Sequence, residues 1–223
     1  MMATIMILIL WLGFGGSHLV LSSTPVRGLL VERFGEERFR RIYSILVLAF
    51  FIPLVWVYFT NKHAGLWLWG TPRGTWLIWI VNLGMVASIV LLVAGIASPS
   101  PASLRASMSP GEPITTGVYR ITRHPQFMGF AFFGLLHLIV NGAATDIVFF
   151  GGFVALALIG GWHQDQRKLA SGDARHRDFH QATPFLPFSG NATLQGIKEL
   201  SPTVLAIGVG ITLVLRFFHR SWF

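Results

Sequence analysis

Eight histidines, at positions 18, 63, 124, 137, 163, 176, 180 and 219, and no cysteine set the chemistry this chain can offer. Without thiols there are no disulfides, thiolate ligands, iron–sulfur clusters or cysteine nucleophiles. Any metal or cofactor must be held by histidine, methionine, carboxylate or backbone. His18 and His137 stand inside apolar runs, and an ionisable side chain at membrane depth is a functional candidate that needs a partner. At helical spacing Trp11 and Phe14 share a side with His18, and Gln126, Phe130, Phe133 and Asn141 share one with His137. Flat rings around an imidazole suit a planar cofactor such as haem; they equally suit a core histidine bonded across a bundle. His63, His176, His180 and His219 fall in polar stretches and read as solvated or interfacial. His163 closes an apolar run beside Gln164 and Asp165.

The second concentration of chemistry is GVYRITRHPQFMGF, residues 117–130. Pro125 suits a first helical position, since its missing N–H would be unpaired there. Arg120, Arg123 and His124 then crowd a helix N-terminus, whose free N–H groups and dipole favour anions. Arginine adds a bidentate fork for carboxylate or phosphate. The stretch reads as an anion corner for a haem propionate, a nucleotide or a lipid headgroup, or as plain cationic anchoring at a membrane surface. No HExxH, CxxCH or carboxylate pair occurs, so the signals of a zinc hydrolase and a c-type haem are missing.

The elements that must position these residues are membrane helices. Hydrophobic residues make up 53% of the 223 and charged ones only 12%, about half the share usual in a soluble domain. Mean hydropathy is +0.62. Apolar runs predict six helices, at about 3–22, 42–60, 75–97, 125–141, 145–163 and 203–218, in an all-α polytopic bundle forming one domain over 1–223. No cleaved signal peptide is expected, because no Lys or Arg precedes Arg27. The Gly13–Ser17 run and the pairs at 151–152 and 160–161 read as close helix contact, with room for a flat group beside His18 as the sharper alternative. Trp11, Trp67, Trp69, Trp76 and Trp222 read as interfacial anchors.

The net charge of +8 needs no nucleic acid. Arg27, Arg33, Arg38, Arg40 and Arg41 follow the first helix. Arg105, Arg120 and Arg123 follow the third, and Arg167, Lys168, Arg175, Arg177 and Lys198 follow the fifth. Lys62, Arg73, Arg216 and Arg220 remain for the other face, which places the rich loops in the cytoplasm and both termini outside. The short turn from Asn141 to Asp146 makes the fourth and fifth helices antiparallel neighbours. That predicts His124 and Asp165 side chains within about 10 Å, roughly one helix spacing. On the same reasoning His18 and His137 differ in depth by about 10 Å at the helical rise.

Five strings carry a resemblance over nearly the whole chain: FGGSHLVLSS (14–23), GVYRITRHPQFMGF (117–130), LLHLIVNGAATDIVFFGGF (135–153), GWHQDQRKLASG (161–172) and TPFLPF (183–188). They resemble the bacterial NnrU family of membrane proteins, related to plastid zeta-carotene isomerase. The resemblance implies a multi-pass protein of the bacterial inner membrane, embedded in lipid, and through the isomerases a b-type haem on histidine. Carried over by motif, the metal ligands are His18 and His137, the propionate partners Arg120 and Arg123, and the candidate catalytic histidines His124 and His137. A further isomerase histidine of the fifth helix has no counterpart here, where Leu158 and its neighbours stand. The implied activity is isomerisation of a hydrophobic polyene or a redox role linked to nitric oxide and denitrification. The GxYxxxRHP string is also similar to isoprenylcysteine and phospholipid methyltransferases and sterol reductases, which implies S-adenosylmethionine or NADPH at that corner. Phe127 replaces their tyrosine, and Gln164-Asp165 stands where they place an acidic pair. A non-enzymatic assembly or regulatory role is the third alternative; no protein partner is implied.

Overall fold

The computed structural model describes residues 1–70, 74–98, 115–172 and 174–222. Arg73, Arg105, most of the Pro- and Ser-rich stretch after the third apolar run, and the side chains of Arg175, Arg220 and Trp222 lie outside the described residues. In chain order the helices are α1 (Met2–Ser22), α2 (Thr24–Phe34), α3 (Glu36–Thr60), α4 (Thr75–Ala97) and α5 (Val118–Ile121). They continue as α6 (Pro125–Val140), α7 (Ala144–Ala170), α8 (Ala174–Ala182), α9 (Thr193–Lys198) and α10 (Pro202–Trp222). All six predicted helices are present, five of them of spanning length. Helices α1, α3, α4, α7 and α10 are long and apolar enough to cross a membrane, and α6 is shorter, as its apolar run predicted. Among the described residues there is no strand, only an isolated bridge between Trp67 and Ala143.

Helix boundaries differ from expectation where charge prolongs a helix. α3 starts at Glu36, because Glu36 and Glu37 fill its first turn and reach Arg40 and Arg41 one turn on. α7 continues to Ala170, with Arg167 and Lys168 complementing its C-terminus, and a turn with Gly172 at φ 76° follows it. α2, inside a predicted loop, begins with Pro25 in its first turn and ends at Gly35, φ 78°, a conformation that favours glycine.

The chain divides into two compact units. The first comprises Met1–Pro72 and His137–Leu156. Here α1 packs along α3, with the Phe50 ring occupying the space a side chain at Gly13 would need. Nothing lies within 4 Å of a Cβ at Gly16. Trp11 is buried and its indole N–H donates to the Phe149 carbonyl at 3.1 Å, so it is a core residue and not the interfacial anchor its position suggested. Residues 61–70 line the turn between α6 and α7: Leu68 N–H donates to Gly142 O at 2.9 Å, Ala144 N–H to Leu66 O at 2.9 Å. The Trp69 indole donates to Leu138 O at 3.0 Å.

The second unit comprises Arg73–Leu136 and Ala157–Phe223. Its core gathers Leu91, Ala94, Val118, Tyr119, Ile121, Met128 and Phe179. Small residues let α4 and α6 touch: Ser88 Oγ donates to the Gly129 carbonyl at 2.8 Å. A Cβ on Gly129 would stand 2.6 Å from Leu92 Cγ and 2.9 Å from the Ser88 carbonyl oxygen. Gly129→Val should therefore lower stability in detergent by about 1–3 kcal/mol through overpacking. Gly28→Ala, with nothing within 4 Å of its Cβ, should hold or raise the thermal midpoint in the same assay.

Candidate functional site

The RHP corner is built from the end of α5 and the start of α6. Thr122 is extended and buried, its hydroxyl donating to Phe185 O at 2.6 Å and accepting from the His124 N–H at 3.2 Å. That fixes the entry to α6, where Pro125 occupies the first turn. Arg123 and His124 consequently turn inward onto Asp165 of α7. Asp165, 1% exposed, accepts Arg123 Nε at 2.7 Å on one oxygen and pairs with His124 Nε2 at 2.9 Å on the other. Arg123 also donates from Nη1 to Thr183 O at 2.9 Å and lies over the Phe185 ring. The TPFLPF segment thus folds across the corner, and the rings of Phe127 and Phe185 meet His124 edge-on.

His180 of α8 completes the cluster, its Nε2 3.6 Å from Asp165. Burial, then the charge of Arg123, holds the His180 imidazole below its usual 6.5, although Asp165 pulls the other way. His176, expected to be solvated, is fully buried in the same helix. The predicted proximity of His124 and Asp165 is therefore present as a direct hydrogen bond. Arg120 takes a different partner: its Nε donates to Glu199 at 3.0 Å, and the same carboxylate oxygen accepts the Gly117 N–H at 2.7 Å. That backbone bond, with Arg120 and Gln195, holds the Glu199 carboxyl below the usual carboxylate range. The structure does not turn Arg120 and Arg123 toward one shared anion; each faces its own acid.

In the first unit, His18 is half-buried on α1, its Nδ1 hydrogen-bonded to the Tyr43 hydroxyl of α3 and its ring packed edge-on to Phe14. Its Nε2 has no hydrogen-bond partner among the described residues. If Nδ1–H donates to the tyrosine oxygen, Nε2 presents a bare lone pair, the arrangement metal-binding imidazoles use. His137 stacks on Phe150 of α7, ring centroids 4.2 Å apart and planes 14° apart. Trp11 meets Phe149, and His18 lies two turns further along α1, so the depth difference of about 10 Å persists. Among the described residues no group of three or more His, Asp or Glu side chains is disposed around a metal position.

Sequence reasoning missed one cluster. Asp146, in the first turn of α7 and wholly buried, accepts the Tyr58 hydroxyl at 3.0 Å and pairs with His63 Nδ1 at 2.8 Å. The available signal was a lone acid at the head of an apolar helix, which must find partners.

Apolar helices of spanning length, with their ionisable side chains paired inside, define a polytopic helical membrane protein. The family model described as "NnrU protein" matches residues 5–223, and the chain belongs to the NnrU family. It is similar to the chloroplastic 15-cis-zeta-carotene isomerase of Zea mays, 27% identical over 168 residues, which are 72% of this chain and 44% of the maize protein. The Arabidopsis thaliana enzyme of the same name is 26% identical over 162 residues, 70% of this chain and 42% of that protein. The chain therefore spans less than half the length of these relatives. No solved structure matches it significantly.

Two outcomes follow from the corner. Asp165→Asn strands the buried Arg123 and should cost about 3–5 kcal/mol of stability in detergent unfolding. Because the folded state disfavours protonated His180, its contribution is intact above pH 6.5 and is lost as pH falls below it. An NMR titration should place the His180 midpoint below 6.5, and His180→Gln should flatten that part of the stability profile.

Proposed function

We propose that this NnrU-family chain is an isomerase-type protein of the bacterial inner membrane, acting on a cis double bond of a long apolar polyene. On this reading it holds a b-type haem on histidine, with the basic loops in the cytoplasm. The observation that carries the proposal is His18, an imidazole within an apolar helix whose Nδ1 is tied to Tyr43 and whose Nε2 has no hydrogen-bond partner among the described residues. Support comes from the alignment to 15-cis-zeta-carotene isomerases over about seven-tenths of the chain. The donor set fits the group: a cysteine-free chain with an imidazole among apolar and aromatic side chains matches histidine-ligated haem. His18 would be the iron ligand, and His137, about 10 Å from it in depth, would stand beside the substrate rather than on the same iron.

When bound, haem b supplies a redox-responsive iron beside the substrate. The chain's own residues do the remainder. Tyr43 selects the tautomer and plane of His18. Phe14 limits rotation of that ring. The apolar helices exclude water and admit a hydrocarbon. A geometric isomerisation adds and removes no atoms, so no proton donor near the double bond is required. Arg123 and His124 stay engaged with Asp165, holding the RHP corner closed.

Protein purified in mild detergent should show a Soret band that His18→Ala abolishes and Tyr43→Phe shifts. Incubated with a 15-cis carotene under reducing conditions, the wild type should yield the trans isomer by chromatography. A preparation that stays colourless with added haemin and leaves the isomer ratio unchanged would overturn the reading.

A further inference from the structure

The cluster around Asp146 lies at the loop-facing end of the first unit. Asp146 is 0% exposed, whereas the His63 side chain is 43% exposed. Three groups hold the carboxylate: the Tyr58 hydroxyl, the His63 ring and the His63 backbone N–H at 3.3 Å. His63 adopts φ 55°, unusual for a non-glycine residue, and this turn presents both its N–H and its ring to the one acid. Its place in the first turn of α7 puts the Asp146 side chain at the positive end of the helix dipole.

Three backbone bonds and the Thr145 hydroxyl, which bonds the Ala64 N–H and carbonyl at 3.0 Å, already attach residues 61–70 to this turn. Asp146 adds something those bonds do not, a grip on Tyr58. The Tyr58 ring lies face to face with Phe149, centroids 3.8 Å and planes 3° apart, and edge-on to Phe150 at 5.4 Å. Phe150 in turn carries His137 against its face. Asp146 and Phe150 are one helical turn apart on α7, so the hydroxyl bond and the ring contact share one face. Rings in such contact cannot turn independently at native packing density.

We propose that Asp146 and Tyr58 are positioning residues for His137: the hydroxyl–carboxylate bond sets the Tyr58 ring, Tyr58 sets Phe150, and Phe150 sets the plane of the His137 imidazole. The importance of that plane for the substrate rests on the function proposed above; the coupling itself does not.

Tyr58→Phe is the decisive variant, since it keeps the ring stack and removes only the hydroxyl. With ring-carbon-labelled histidine in detergent, Tyr58→Phe and Asp146→Asn should both shift the His137 ring resonance. The His18 resonance, governed by Tyr43, should stay in place and report intact folding. A His137 resonance unmoved in Tyr58→Phe would overturn the positioning role, whether or not haem binds. Absence of haem from the wild type would overturn the functional reading alone.

Discussion

An apolar surrounding tolerates a carboxylate only when the protein supplies its partners, and α7 carries two that are wholly or almost wholly buried. Asp146 sits in its first turn and Asp165 near its last, nineteen residues on. Each acid organises its own unit. Asp146 gathers Tyr58 and His63; Asp165 gathers Arg123, His124 and His180. The polar side chains that distinguish this chain from a generic hydrophobic bundle are thus arranged around anions of the protein itself.

The RHP motif takes its meaning from that arrangement. An arginine and a histidine at a helix N-terminus suggest capture of an external anion. Here the anion is internal, contributed by the HQDQR stretch of α7 and covered by the TPFLPF segment. Arg120 follows the same rule with Glu199. Three of the four strings that carry the family likeness in the second half of the chain are therefore parts of one folded corner. His18, in the other unit, keeps Nε2 without a hydrogen-bond partner among the described residues.

Much of this was legible in the residues. Runs of apolar side chains placed the five long helices and the shorter α6, since a spanning helix announces itself by length and composition alone. The tight turn before Ala144 was enough to put His124 beside Asp165. What stayed hidden depended on contacts between distant positions. Trp11 looks like an interfacial anchor until Phe149 supplies a carbonyl for its indole. His63 and His176 look solvated because their neighbours in sequence are polar, yet one reaches a buried acid and the other is itself buried. Helices α2 and α8 are short and weakly apolar, so periodicity gave them no signal, and their caps and packing decide them.

The function proposed above makes His18 an iron ligand. Haem content measures that claim most directly. A pyridine haemochrome assay on protein purified from cells supplied with iron and a haem precursor should return about one b-type haem per chain, falling to background in His18→Ala. A haem-free wild type that unfolds cooperatively and is not stabilised by added haemin would contradict it.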